Sequence, residues 1–330
     1  MTKSAEQLFS ESIDFSGLLA HDAPPLVEAL RELVRLNQSN ARWMLSHFVV
    51  PYRYLNDLGK YADRRNRIEG LLNLCVSGPQ VKTLHEFKQS VLSIEKDILS
   101  VHSGFPGEVR TNLLELMLPQ NSVENLNPEE LVKALEAVVT TSADSRLLPH
   151  RVYFEIPDEQ FDADVTKKII KVIAVHNKSI LKRKIDNYLF SGFKVNCGSL
   201  EAGNVPPPEY LAEVLLYARD ANVAIKFGGD VRQSIPKYDY ETGHQSPGVL
   251  NLMMAGILAY TQDLNLEETV QVLTENNPLN FVFHENYIAW KELAAPAMEI
   301  KMLRMLSLTS INLSKVDDAL AVLRERSFID

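Results

Sequence analysis

The sequence predicts an α/β fold, a mostly parallel sheet covered by helices, and three observations carry that expectation. Two short apolar runs, Phe193–Gly198 and Val223–Asp230, each hold one lysine and end in glycine, with a helical pattern between them. Together they read as a strand–helix–strand unit. The same alternation of short apolar runs with 3.6-residue periodicity recurs about six times along the chain. Finally, the strand candidates are apolar on both faces, as buried parallel strands are. Right-handed crossovers then allow either a closed barrel or an open doubly wound sheet, and periodicity does not choose between them.

Taken in order, residues 1–22 are polar with scattered apolar positions and read as a flexible arm. Residues 23–66 form a helical N-terminal segment packed on the main domain: Leu26, Leu30, Leu33 and Leu36 share a helix face after Pro24-Pro25. Within it, Ala41–Pro51 is apolar enough to be buried, Tyr52–Tyr61 resumes helical spacing, and Asp63–Arg67 is a charged, solvated connection. Residues 67–330 make up the α/β domain. Ile68–Val76 is its first strand, Leu84–Leu92 a helix, and Ile98–His102 a short strand or extended connection. The apolar run Leu113–Leu118 stops at Pro119, and Asn127-Pro128 starts a helix. Arg151–Ile156 is the clearest strand, and Asp164 to Tyr188 a helix whose basic run, Lys178–Lys184, is a solvated face. The opening strands flank the helix Glu209–Asp220. A long polar loop, 231–248, follows as a candidate lid. Helices are expected at Val249–Tyr260 and Leu266–Leu273, an aromatic-rich helical or irregular segment at Asn277–Ala295, a last strand at Met302–Leu308 and a closing helix at Val316–Arg324.

Composition bounds the function. The 330 residues are 45% hydrophobic and 23% charged, so the chain is globular rather than disordered. A net charge of -9 disfavours nucleic acid and anionic membrane as partners. Two cysteines, Cys75 and Cys197, are too few for a disulfide framework and fit a reducing compartment. The N-terminus has no signal-peptide core, and no apolar run reaches the roughly 18 residues of a membrane span, so a cytoplasmic location is expected. His47, His85, His102, His150, His176 and His284 are scattered without metal-ligand spacing, and no Walker loop, G-x-G-x-x-G or G-x-S-x-G is present, so no metal is expected and the cofactor stays unknown.

Several stretches resemble an uncharacterised bacterial family of TIM-barrel-like proteins. Trp43-Met44-Leu45 with Phe48-Val49-Val50-Pro51 is similar to that family's W-M-L-G-R-F-V-V-P, and Val152–Pro157 to its strand with a glutamate near the end. Phe193–Gly198 resembles its K-L-R-T-G-G, Val223–Gly229 its F-K-A-T-A-G-L-H-H-P, and Gly248–Asn251 its H-G-F-L-N. The chain departs where the family has arginine and threonine, here Asn196 and Cys197, and where it has a histidine pair, here Asp230 to Gln233. The resemblance implies a TIM-barrel-like parallel sheet, incomplete or irregular in places, with an N-terminal helical appendage, and a divergent member whose chemistry is changed or lost.

In such a fold the ligand sits at the C-terminal strand ends. Alternation places Tyr153 with Glu155, Lys194 with Asn196, and Ala224 with Lys226 and Gly228. Glu155, Lys194 and Lys226 are therefore the candidate catalytic residues, holding a small carboxylated or phosphorylated metabolite and supporting lyase- or isomerase-like chemistry. Asn196, Gly228, Gly229, Asp230, Arg232 and His244 are candidate ligand contacts. Each has a plain competing reading. The lysines and glutamate can form an interior salt-bridge layer, the glycine pair a tight turn, and Cys197 a small buried hydrophobe rather than a nucleophile. The Met253–Met254 pair and the aromatics near Trp290 read as core or as a contact in a homo-oligomer. Taken whole, the chain is an enzyme-like barrel or a non-catalytic ligand-binding or scaffold protein, and Lys226→Met is expected to abolish binding without unfolding it.

Overall fold

The structure is a computed structural model that describes residues 1–61, 71–145, 151–157, 161–183, 190–198, 204–238, 240, 243 and 245–329. The charged connection Asp63–Arg67 and the candidate contact His244 lie outside the described residues. Eight parallel strands close into a barrel. They are β1 (Ile13–Phe15), β2 (Leu45–Pro51), β3 (Leu72–Ser77), β4 (Val109–Met117), β5 (Arg151–Glu155), β6 (Gly192–Asn196), β7 (Ile225–Gly228) and β8 (Leu308–Leu313), each paired with its chain neighbours, and β1 is paired with β8. The choice between open and closed sheets is thereby settled as a TIM-barrel-like fold.

Helices cover the outside of this barrel. Thr83 starts the helix Leu84–Gly104 with a capping box to Glu86, and Asn265 does the same with Glu268 for Leu266–Thr274. Pro208 opens the helix Pro208–Ala221, which ends on Asn222 in the left-handed region. The helix Val249–Thr261 is buried from Val249 through Ala259, which is why it is apolar all round. No helix among the described residues is long and apolar enough to cross a membrane.

The observed elements differ from the expected ones in five places. Both the arm and the appendage contribute barrel strands: β1 lies in residues 1–22 and β2 in residues 23–66. A three-residue strand around an aspartate carries no periodic signal. Ile98–His102 is the continuation of a helix, since Val91, Ile94, Ile98 and Val101 keep helical spacing on its buried face. Asn277–Ala295 forms a three-stranded antiparallel sheet, Phe281–Phe283, Tyr287–Trp290 and Leu293–Pro296, whose short strands turn at Lys291 with positive φ. Met302 to Leu306 is helical within Ala297–Leu306: Ile300 and Arg304 face inward while Met298, Met302, Met305 and Leu306 are exposed, a helical and not an alternating pattern. The last strand accordingly starts at Leu308. The Met253–Met254 pair is core.

Candidate functional site

Register decides which side chains meet inside the barrel. Lys194 and Lys226 are Cα partners on β6 and β7, so the two lysines stand at one level of the interior. Asp14 on β1 is paired with Asn312 on β8, and Met117 on β4 with Glu155 on β5. These strands bring carboxylates to the lysines. Lys226 Nζ donates to Asp14 Oδ2 in a short contact, lies 3.0 Å from Glu115 Oε1 and 3.2 Å from Ser310 Oγ, and is wholly buried. Lys194 Nζ lies 2.8 Å from Glu115 Oε2 and 2.5 Å from Glu155 Oε2. Ser310 Oγ donates to Asp14 Oδ2 at 2.6 Å, and Asn312 Nδ2 donates to Glu115 Oε1 at 3.1 Å. Beyond Asp14, His47 Nδ1 is 2.7 Å from Asp14 Oδ1 and His47 Nε2 is 2.8 Å from Asn112 Oδ1.

The result is a continuous ionic chain, Glu155, Lys194, Glu115, Lys226 and Asp14, with the His47 ring in contact with its last member. Burial alone pushes both lysines down, but Asp14 and Glu115 around Lys226, and Glu115 and Glu155 around Lys194, more than reverse it and hold both above their ordinary value. The lysines are therefore ammonium groups. Burial also works against the two innermost carboxylates, yet Lys226 and His47 hold Asp14 far below the usual range, and Lys194 and Lys226 hold Glu115 at about 2. Cys75 and Cys197 are pushed up by burial and are neutral thiols, so Cys197 is the small buried hydrophobe of the two readings.

At the C-terminal strand ends a cavity of about 390 Å³ opens above this chain, with Glu155, Lys194, Asn196, Gly229, Asp230 and Asn312 in its wall. The lysines thus differ in standing. Lys194 reaches the cavity; Lys226 does not, and lies beneath it as the partner of Asp14 and Glu115. The glycines serve the chain itself. A Cβ at Gly228 would fall 2.3 Å from Lys194 Cε, so glycine makes room for that lysine's stem. At Gly229, with φ +89°, a Cβ would meet the Gly198 backbone at 2.7 Å. The Asp230 amide donates to the Gly198 carbonyl at 2.8 Å and the Gly198 amide to Asn196 Oδ1 at 2.9 Å, which locks the two strand-end turns together. Asp230 accepts from Ser314 Oγ in a short contact and from Arg232 Nη2 at 2.6 Å, while Arg232 also donates to Asp22 at 2.7 Å.

Of the residues named from the sequence, Glu155, Lys194, Asn196, Gly229 and Asp230 line the cavity and Lys226, Gly228 and Arg232 do not; Asp14, Glu115, Ser310, Asn312, His47 and His21, which also lines the cavity, were not among them. A single acid inside an apolar run was the available signal for Glu115, in Leu113–Leu118; Ile13-Asp14-Phe15 is too short to offer one for Asp14.

No family model and no curated protein matches the chain. Among solved structures it is similar to one described as a native Bacteroidetes-affiliated GH5 cellulase linked with a polysaccharide utilization locus, at a TM-score of 0.39 and 9% identity over 96% of this chain and 93% of that chain. A likeness of that size carries no argument; the fold rests on the strand pairing above.

Proposed function

We propose that the barrel binds a small carbonyl metabolite at the C-terminal strand ends and moves a proton on it, as a lyase or isomerase does. The observation that carries this reading is that Lys194, held as an ammonium, reaches the cavity 2.5 Å from Glu155 at the cavity wall. The ammonium donates to the carbonyl oxygen, and the Glu155 carboxylate takes the proton from the adjacent carbon. On an α-hydroxy carbonyl compound the resulting enediolate keeps its charge on the oxygen beside Lys194, the hydroxyl proton passes to that oxygen, and Glu155 returns the carbon-bound proton to the former carbonyl carbon, so the carbonyl moves by one carbon. Of the carboxylated and phosphorylated ligands expected from the sequence, the charges favour a compound with at most one carboxylate. Both ammoniums already face three carboxylates, Asp14, Glu115 and Glu155, so a phosphate dianion would meet Glu155 across the cavity.

A screen of keto acids, free sugars and sugar phosphates by thermal shift is expected to raise the melting temperature with members of the first two groups. Lys194→Met is expected to remove that shift. In heavy water, the bound compound is expected to exchange its α-hydrogen on the wild-type protein and not on Glu155→Gln. A borohydride-stable adduct on Lys194 would replace the ammonium role by a Schiff base. The saturation of both ammoniums also fits the second reading, a non-catalytic binding or scaffold protein. Ligand-induced stabilisation without hydrogen exchange supports that one, and no stabilisation by any compound removes the first.

A further inference from the structure

We infer that Asn312 is a specificity-determining residue of the C-terminal cavity: its side-chain oxygen accepts the hydroxyl of an α-hydroxy carbonyl ligand, so the site takes free hydroxy-aldehydes and hydroxy-ketones in preference to carbonyl compounds without that hydroxyl. This rests on the reading that Lys194 and Glu155 receive a carbonyl compound, and it names the class of that compound. Asn312 sits near the end of β8 as the Cα partner of Asp14 on β1, and is 1% exposed in the cavity wall. Its two amide atoms have unequal surroundings. Nδ2 donates to Glu115, 3.1 Å from Oε1 and 3.3 Å from Oε2. Oδ1 is buried and has no hydrogen-bond partner among the described residues. A buried acceptor left unmet costs free energy that a bound donor returns.

The orientation of this amide is fixed by its partner. The Glu115 carboxylate lies 2.8 Å from Lys194 Nζ and 3.0 Å from Lys226 Nζ and can only accept, so a turned amide would set oxygen against oxygen and lose both Nδ2 contacts. Oδ1 is therefore the atom left over. Because Nδ2 straddles the two Glu115 oxygens, and the terminal torsion of an asparagine side chain is soft, a small rotation brings Oδ1 to a ligand in the cavity while one bond to Glu115 is kept. Other acceptors of the wall are engaged: Asn196 Oδ1 takes the Gly198 amide, and Asp230 takes Ser314 and Arg232. Lys194 and Asn312 both hold Glu115, which makes them neighbours across one carboxylate. With the carbonyl oxygen of the ligand on the Lys194 ammonium, the adjacent hydroxyl donates to Asn312 Oδ1. A methyl group in place of that hydroxyl would seal the acceptor away from any donor, and this penalty separates the two kinds of ligand.

The test is calorimetric titration of the intact protein with two matched pairs of probes, hydroxyacetone with butanone and hydroxypyruvate with α-ketobutyrate. Within each pair the charge is the same and the second member carries methyl for hydroxyl. The hydroxylated member is expected to bind about tenfold tighter or more in both pairs. In Asn312→Leu that preference is expected to fall to about twofold or less. Should this variant not fold, NMR of the wild-type side-chain amides decides: the Asn312 signals are expected to move with hydroxyacetone and stay with butanone, and equal movement with both overturns the inference. Equal affinities within each pair, or a preference that survives in Asn312→Leu, overturn it as well and leave the reading of Lys194 and Glu155 standing. Failure of all four probes to bind also overturns it, whereas affinities unchanged in Lys194→Met overturn the reading beneath it.

Discussion

At the residue scale, the two lysines that look equivalent in sequence have opposite tasks. Lys226 has no exposed surface and balances Asp14 and Glu115, so Lys226→Met leaves buried carboxylates uncompensated and is expected to cost about 3–5 kcal/mol. Urea unfolding of the purified variant measures that loss, which replaces the sequence-based expectation of an intact fold with lost binding. Lys194→Met, at the cavity wall, is expected to cost less and to act chiefly on the ligand. The same charges set a pH window. Asp14 and Glu115 lie below their ordinary values, so their contribution is full above the unfolded carboxylate range and is lost as pH falls toward their folded values. Lys194 and Lys226 lie above theirs, so their contribution is full below the unfolded lysine value and is lost as pH rises beyond it. Burial also lowers His102 and His176 and raises Cys75 and Cys197, so denaturant midpoints are expected to be flat only between about pH 7 and about pH 8 and to fall on both sides. The lysines were legible because parity along two clear strands puts both on the inner face. Asp14 was not, because nothing in Ile13-Asp14-Phe15 distinguishes a barrel strand from a polar arm.

At the element scale, the strand ends are built around one another. Gly228→Ala on β7 places a methyl group against the stem of Lys194 on β6, and is expected to displace that ammonium from Glu155. The readout is the loss of ligand-induced stabilisation with a melting temperature lowered by less than in Lys226→Met. Thr83→Ala offers the contrast. It removes a capping box on the outer layer, is expected to cost about 1 kcal/mol, and should leave ligand response untouched. Helices with clean 3.6 periodicity and a recognisable start were legible, as at Pro208–Ala221 and Leu266–Thr274. The failures came where a short apolar run fits two periods. Met302 to Leu306 and Ile98 to His102 are too short to separate strand from helix without their partners, and the hairpins at Phe281–Pro296 are too short to show alternation.

At the scale of the whole molecule, the first strand closes the barrel between β8 and β2 and supplies Asp14 to the ionic chain. Deleting residues 1–22 is therefore expected to prevent folding rather than trim a loose end, with loss of the near-ultraviolet circular dichroism signal as the measure. The alternation of elements made an α/β sheet legible in the sequence. Closure was not, because it depends on a pairing between Ile13–Phe15 and Ile311–Leu313 that no local pattern announces.

That closing pair also has a temporal side. The Ser310–Asp14 contact joins residues 296 apart in the chain, and Lys226–Asp14 joins residues 212 apart. During synthesis on the ribosome, β1 emerges before the other seven barrel strands and waits for the strand that completes its pairing until the last of them has been made. Until then the growing sheet has bare edges, and a carboxylate destined for the interior stays in water. Pairing at such separations is slow, so the incomplete sheet has a long interval in which its bare edges are exposed to aggregation.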